Sequence, residues 1–296
     1  MGVIRLGDSF NNKKIEVMLK RLNKEIFFVC GMHRSGTSIL TKLIEIFDIN
    51  IGTDFSPTRA DNPTGFYEDM SFYRVNRKLY EINNISWNEI INPINLKLKT
   101  KTPDNKFLLS SIEQKIKFNY NFAFKDPRST LFLKYWKTFF KKKNCSIKYM
   151  YCFRHPYYIS KSIIKRDKMN LEDSFFFILQ NWYLILKNID KIDQELFLNY
   201  DLLILNEKKF LQILKKKLRT KINVNRYKFL KSQILINNKK KHEIKNYNNK
   251  TYQILLKIHL FFKNPKKNKL NELLSEIKKH YIKNTPITKE INSSFW

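Results

Sequence analysis

Apolar and polar positions divide this chain into short runs with two different periods. Glu25-Ile26-Phe27-Phe28-Val29-Cys30 is a short, mostly apolar run that stops at Gly31. A run of that kind reads as a strand buried on both faces. After a polar loop, Ile39, Leu40, Leu43, Ile44 and Phe47 recur at helical spacing. The opening unit is therefore strand, glycine-containing loop, helix. Three further strand-like runs follow: Phe122–Phe124, Ile147–Phe153 and Glu195–Asn199, each rich in aromatic or β-branched residues. Helical patterns at Thr130–Phe140, Tyr157–Arg166 and Leu171–Asn188 separate them. This alternation predicts an α/β fold with a mostly parallel sheet and helices on both faces. In such sheets ligands bind beyond the carboxyl ends of the strands.

Asn83–Lys106 carries Pro93, Pro103 and several Asn and reads as a loop or small insertion. Beyond Asn206 the pattern is helical and Lys-rich, as in Glu207–Leu218 and Leu270–Tyr281, with a loop expected over Asn237–Lys250. The expected organisation is a lead segment at 1–24, an α/β domain at 25–218 and a helical, basic extension at 219–296 packed on the same domain. No internal repeat is visible.

The 57 Lys+Arg and 26 Asp+Glu give a formal net charge of +31. Such a charge suggests nucleic acid or an anionic membrane surface. The chain is also rich in Lys, Asn and Ile with only 6 Gly, a bias that need not reflect function, and no nucleic-acid motif accompanies it. No nucleic-acid partner is expected. Cys30, Cys145 and Cys152 form no CxxC pair, and Cys30 and Cys152 sit in apolar runs as core thiols, which points to a reducing, cytoplasmic setting. The first 25 residues include Lys13, Lys14, Lys20, Arg21 and Lys24 and no sustained apolar stretch, so no leader peptide is expected; Leu6 stands where N-myristoylation needs Ser or Thr. No transmembrane segment is expected either. The apolar stretch Ser174–Lys187 contains Gln180 and Asn181 and reads as a core helix.

The candidate chemistry begins at Gly31-Met32-His33-Arg34-Ser35-Gly36-Thr37-Ser38, between strand and helix. Backbone N–H groups of such a loop converge on an anion, and the helix N-terminus adds partial positive charge there. Gly31 and Gly36 have Walker A spacing, but Thr37 and Ser38 stand where Lys followed by Ser or Thr would be needed. Ordinary NTP hydrolysis is thereby disfavoured. The cation sits inside the loop instead, at Arg34, where it can reach the oxygen between a phosphate and its leaving group.

These residues resemble the sulfotransferase family that uses 3′-phosphoadenylyl sulfate (PAPS), in its bacterial and tyrosylprotein-type branch. Phe28–Leu40 is similar to the family's 5′-phosphosulfate loop. Phe153-Arg154-His155-Pro156, with Ser162 eight and Arg166 twelve residues after Arg154, is similar to its 3′-phosphate site. Phe124-Lys125-Asp126-Pro127 resembles a Lys-Asp-Pro segment, and Asn199-Tyr200-Asp201-Leu202-Leu203 resembles a turn whose Tyr contacts the nucleotide. The resemblance spans Phe27 to Leu218. It implies a P-loop-NTPase-like three-layer sandwich, PAPS as co-substrate and direct in-line sulfuryl transfer to an acceptor hydroxyl. It further implies that Arg34, Ser35, Gly36, Thr37 and Ser38 hold the 5′-phosphosulfate, while Arg154, Ser162, Arg166 and Tyr200 hold the rest of the nucleotide. Lys125 would balance charge on the sulfuryl oxygens. Arg128 would touch acceptor or nucleotide, with Asp126-Pro127-Arg128 capping a helix.

Such a transfer needs a base. Asp61-Asn62-Pro63-Thr64-Gly65-Phe66-Tyr67-Glu68-Asp69 resembles a turn of bacterial relatives and makes Glu68 the candidate, with Asp69 as the alternative. The same residues also suit a helix N-cap. His33, inside the loop, is a further participant to consider. Trp182 and Tyr183 read as core, and His242, His259 and His280 lack metal-ligand spacing. No metal is expected. The acceptor is open among saccharide, lipid, peptide tyrosine and small alcohol, with a glycan hydroxyl expected first. Two rivals remain: a P-loop-type phosphotransferase on a small molecule, and a non-catalytic anion or nucleic-acid binder.

Overall fold

The computed structural model describes residues 25–58, 62, 65–101, 105–119, 121–228 and 244–284. The lead segment 1–24, Asp61, Pro63, Thr64, Pro103, His242 and the last twelve residues lie outside these, as do the expectations that rest on them. Four strands, β1 (Glu25–Cys30), β2 (Asn121–Lys125), β3 (Ser146–Phe153) and β4 (Leu196–Asn199), form one parallel sheet in the order β2-β1-β3-β4. The fold is α/β, as the alternation of periods requires. Period-two side-chain alternation in each strand builds two separate cores. Ile26, Phe28 and Cys30 of β1, Phe122 and Phe124 of β2, and Tyr149, Tyr151 and Phe153 of β3 face one side. Phe27, Val29, Ala123, Met150 and Cys152 face the other, with Leu196 and Leu198 of β4.

The smaller core is closed by α1 (Thr37–Ile44), which contributes Leu40, Leu43 and Ile44, and by Phe210, Leu211 and Leu214 further along the chain. The larger core takes α2 (Met70–Ile82), α3 (Asn105–Phe118), α4 (Leu133–Lys142), α5 (Pro156–Asp167) and α6 (Leu171–Lys187). Helices on both faces of the sheet make three layers. Each wholly buried large apolar side chain contributes roughly 1.5–3 kcal/mol, and stacked rings such as Phe72 on Phe124, centroids 4.0 Å apart, fill the wider layer.

Two short helices, α7 (Tyr200–Leu205) and α8 (Glu207–Leu218), follow β4 directly. Asn199 starts α7 by accepting from Asp201 N–H at 2.9 Å. The basic C-terminal part contains α9 (Lys250–Lys263) and α10 (Lys267–Lys283). Phe262 of α9 lies 5.4 Å from both Phe153 and Trp182, centroid to centroid. Trp182 and Tyr183 are buried core residues, and the three cysteines are free, Cys30 and Cys152 buried.

The insertion after α2 is ordered by side chains that replace a missing ladder. Gln180, buried in the apolar helix α6, accepts from Ile91 N–H and donates to the Glu89 carbonyl, both at 2.8 Å. Asn83 clasps the stem by accepting from Lys99 N–H at 2.7 Å and donating to its carbonyl at 2.9 Å. The sequence gives no periodic signal there, since these bonds run from side chain to backbone across distant segments.

Candidate active site at the ends of β1 and β3

The chain leaves β1, adds β2 on one side and then crosses to β3 on the other. The loops after β1 and β3 therefore diverge at one point, which is where open parallel sheets bind ligands. The loop after β1 has Arg34 in the left-handed region (φ 65°) and Gly36 likewise (φ 93°). Gly36 is the N-cap of α1 and, lacking a side chain, makes no cap bond to the first amides of the helix. A methyl group on Gly36 would lie 2.1 Å from Cδ2 of Tyr200, so the Tyr200 ring lies directly on the loop. Ser35 is buried, and its hydroxyl turns back to donate to the Met32 carbonyl at 2.8 Å. Thr37 is buried and Ser38 half-buried at the helix start.

Arg34 Nε donates to Ser162 Oγ of α5 at 2.7 Å. Arg154, at the end of β3, donates from Nη1 to the Arg34 carbonyl at 3.5 Å. Its guanidinium lies over the rings of Tyr158 and Tyr200, 5.2 and 5.1 Å from their centroids, with Asp201 Oδ1 3.6 Å from Nε. Asp201 also accepts from His155 N–H at 2.7 Å, and burial pushes its carboxyl up. The structure thus brings Arg34, Gly36, Arg154, Ser162 and Tyr200 together. Arg166 lies one turn beyond Ser162, its guanidinium 4.9 Å from the Trp87 ring centroid and paired with Asp167 at 2.6 and 2.7 Å.

A second cluster sits at the end of β2. Lys125 is only 1% exposed, and its ammonium donates to Glu68 Oε1 and to the Phe66 carbonyl, both at 2.8 Å. Arg128 Nη2 donates to Glu68 Oε2. Burial by itself would raise the Glu68 carboxyl, but Lys125 and Arg128 outweigh it and hold the group below the usual range. Glu68 is therefore an ionised carboxylate with one cation on each oxygen. Asp69 has other duties: Oδ1 caps α2 by accepting from Ser71 N–H at 3.0 Å, and both oxygens pair with Lys115. Asp126 caps the short 3-10 turn Pro127–Thr130, as the sequence suggests, by accepting from Arg128 N–H at 3.0 Å.

His33 lies between the clusters. Its ring packs 4.9 Å from Trp87 and 6.3 Å from Phe177, and its electrostatic neighbours are Arg166, Arg128, Lys125 and Arg34. Burial first, and then these cations, keep it neutral well below the ordinary histidine range. Sequence reasoning missed Trp87, hidden in an insertion without periodicity. It also missed that Arg128 folds onto Glu68 and Asp126. Among the described residues, no group of three or more His, Cys, Asp and Glu has metal-binding geometry, and no helix is long and apolar enough to cross a membrane. A cavity of about 560 Å³ lined by Lys137, Lys141, Tyr149 and Asp190 opens at the start of β3, the opposite end of the sheet.

Fold and site together define an α/β protein with a glycine-containing strand–loop–helix, two adjoining cationic clusters and a buried Glu68 carboxylate paired with both Lys125 and Arg128. No family model matches the chain, and no curated protein does. Among solved structures, the sulfotransferase domain from the Synechococcus PCC 7002 olefin synthase is similar, with 14% identity and a TM-score of 0.44 over 86% of this chain and 95% of that one.

Proposed function

We propose that this cleft transfers a sulfuryl group from PAPS to an acceptor hydroxyl, a saccharide hydroxyl first among the candidates, in the cytoplasm. The reading rests on one observation: the Arg34–Ser162 hydrogen bond, with Arg154 on the Arg34 carbonyl, joins the loop after β1 to the end of β3 and to α5. One ligand with negative charge at two ends, such as a 3′-phosphorylated nucleotide carrying a phosphosulfate, can then span them.

Among the described residues, four cations of the cleft each have an internal partner. Arg34 has Ser162, Arg154 has Asp201, Arg166 has Asp167, and Lys125 has Glu68. The donor works by exchange. Its phosphosulfate takes the amides of Gly36, Thr37 and Ser38 and draws Arg34 onto the bridging oxygen. Ser162, released, joins Arg154 and Arg166 on the 3′-phosphate, where charge-assisted bonds are strong. The Tyr200 ring lies against the nucleotide. Lys125 turns from Glu68 to the sulfuryl oxygens, and its charge is most effective in a site from which water is excluded. Glu68 Oε1 is thereby freed to accept the hydroxyl proton. The acceptor oxygen forms its bond to sulfur as the bond from sulfur to the 5′-phosphate oxygen breaks, leaving adenosine 3′,5′-bisphosphate.

The first test is thermal stability with PAPS, adenosine 3′,5′-bisphosphate and ATP, because a ligand bound only by the folded state raises apparent stability. Stabilisation by the two 3′-phosphorylated nucleotides is expected. Stabilisation by ATP alone would favour a phosphotransferase. Incubation of PAPS with an acceptor panel and mass-spectrometric detection of a sulfated product then identifies the acceptor, and Arg34→Ala should abolish transfer.

A further inference from the structure

Glu68 is held asymmetrically. Lys125 is the last residue of a strand with a flexible four-carbon stem, whose ammonium divides its bonds between Oε1 and the Phe66 carbonyl. Arg128, on the other oxygen, is fixed from several sides. Its Nε donates to both oxygens of Asp126, at 2.8 and 3.1 Å, and its guanidinium carbon lies 4.3 Å from the Tyr73 ring centroid. Asp126 is itself fixed in the core: Asn76 donates to its Oδ2 at 2.8 Å and to Ser129 Oγ at 2.7 Å, while Trp136 Nε1 donates to Asn76 Oδ1 at 2.9 Å. Trp136 and Asn76 are wholly buried. A continuous chain of hydrogen bonds therefore runs from the core tryptophan to Oε2 of Glu68.

We propose that Arg128 is a positioning residue for the transfer, anchoring Oε2 of Glu68 from the core so that Oε1 alone is surrendered by Lys125 and becomes the proton acceptor. This rests on the sulfuryl-transfer reading. A planar guanidinium suits the task because it can hold two carboxylates in a fixed fork, which a lysine cannot. The proton passes from the acceptor hydroxyl to Oε1 while the oxygen attacks sulfur and the bridging bond to the 5′-phosphate breaks. Glu68 then returns the proton to solvent as the bisphosphate leaves. The charged groups facing Glu68 are Lys125 of β2 and Arg128 and Asp126 around the 3-10 turn; His33 of the loop, kept neutral, is a neighbour of Lys125 and Arg128. With Lys125 withdrawn, Arg128 is the cation that keeps Glu68 ionised, so it also sets the acid limb of the pH–rate profile.

The test uses the full chain and begins with calorimetric binding of adenosine 3′,5′-bisphosphate to the wild type. Failure there, together with absent transfer, overturns the sulfuryl-transfer reading itself. With an active wild type, Arg128→Met should leave bisphosphate affinity within about twofold, lower kcat at least tenfold and move the acid limb up by about one pH unit, the size of a lost neighbouring charge. Arg128→Lys should keep the limb near its wild-type position, since the charge remains, yet lose kcat, since the fork is gone. An unmoved limb in Arg128→Met, or a wild-type kcat in Arg128→Lys, overturns the positioning role and leaves the wider reading standing. If Arg128→Met does not fold, the kcat of Arg128→Lys decides.

Discussion

Gly36→Ala measures how tightly the loop after β1 is closed against α7. The substitution has two costs. Gly36 has φ 93° and ψ 12°, a left-handed conformation that costs a residue with a Cβ about 1–2 kcal/mol. The new Cβ would also lie 2.1, 2.4 and 2.8 Å from Cδ2, Cγ and Cε2 of Tyr200. That overlap is with the root of a buried ring, which also lies beside the Arg154 guanidinium, so it cannot be relieved by swinging a side-chain tip aside. Forcing volume into such a packed place costs about 1–3 kcal/mol. Together the loss should be roughly 2–5 kcal/mol, read by urea unfolding followed by both fluorescence and circular dichroism. The two costs separate in a double-mutant cycle with Tyr200→Ala. Removing the ring relieves the overlap but not the backbone strain, so the double variant should be more stable than the sum of the singles by about 1–3 kcal/mol. A Gly36→Ala loss below about 1 kcal/mol, or strict additivity in the cycle, would refute the close contact between ring and loop.

Ser162→Ala should weaken adenosine 3′,5′-bisphosphate about tenfold or more by calorimetry, the worth of one hydrogen bond to a charged group; unchanged affinity would remove α5 from the nucleotide site. Glu195, just before β4, has its carboxyl pushed up to about 7 by burial, with Lys137 opposing and Asp190 adding. A carboxyl raised on folding favours the folded state when protonated, so its contribution is present below its unfolded value and is lost as pH rises to about 7. Glu195→Gln should therefore be near neutral at pH 4 and stabilise by on the order of 2–3 kcal/mol at pH 8, measured by denaturation at both pH values. Gln180→Ala should cost about 1–3 kcal/mol, because the Ile91 N–H and the Glu89 carbonyl lose a buried partner. Hydrogen exchange should then quicken locally at Ile91.

Much of this arrangement was legible in the amino-acid order because it depends on local periodicity. Strands β1 to β3 were predicted within a residue or two, since each is a short apolar run and burial on both faces leaves no alternation to misread. The order of Gly31, Arg34 and Gly36 between a strand and a helix marked the loop, because a left-handed Gly36 and an uncapped helix start are properties of adjacent residues. Ser162 and Arg166 could be placed on one face of α5 from spacing alone. What the order of residues could not determine was who neutralises whom. Glu68 and Asp69 are consecutive and chemically alike, yet one faces Lys125 and Arg128 while the other caps α2 and binds Lys115. Trp87 and Gln180 acquired their roles from segments far away in the chain. Periodicity is a property of neighbouring positions, whereas ion pairing and buried hydrogen bonding are settled only when distant strand ends meet and water is excluded between them.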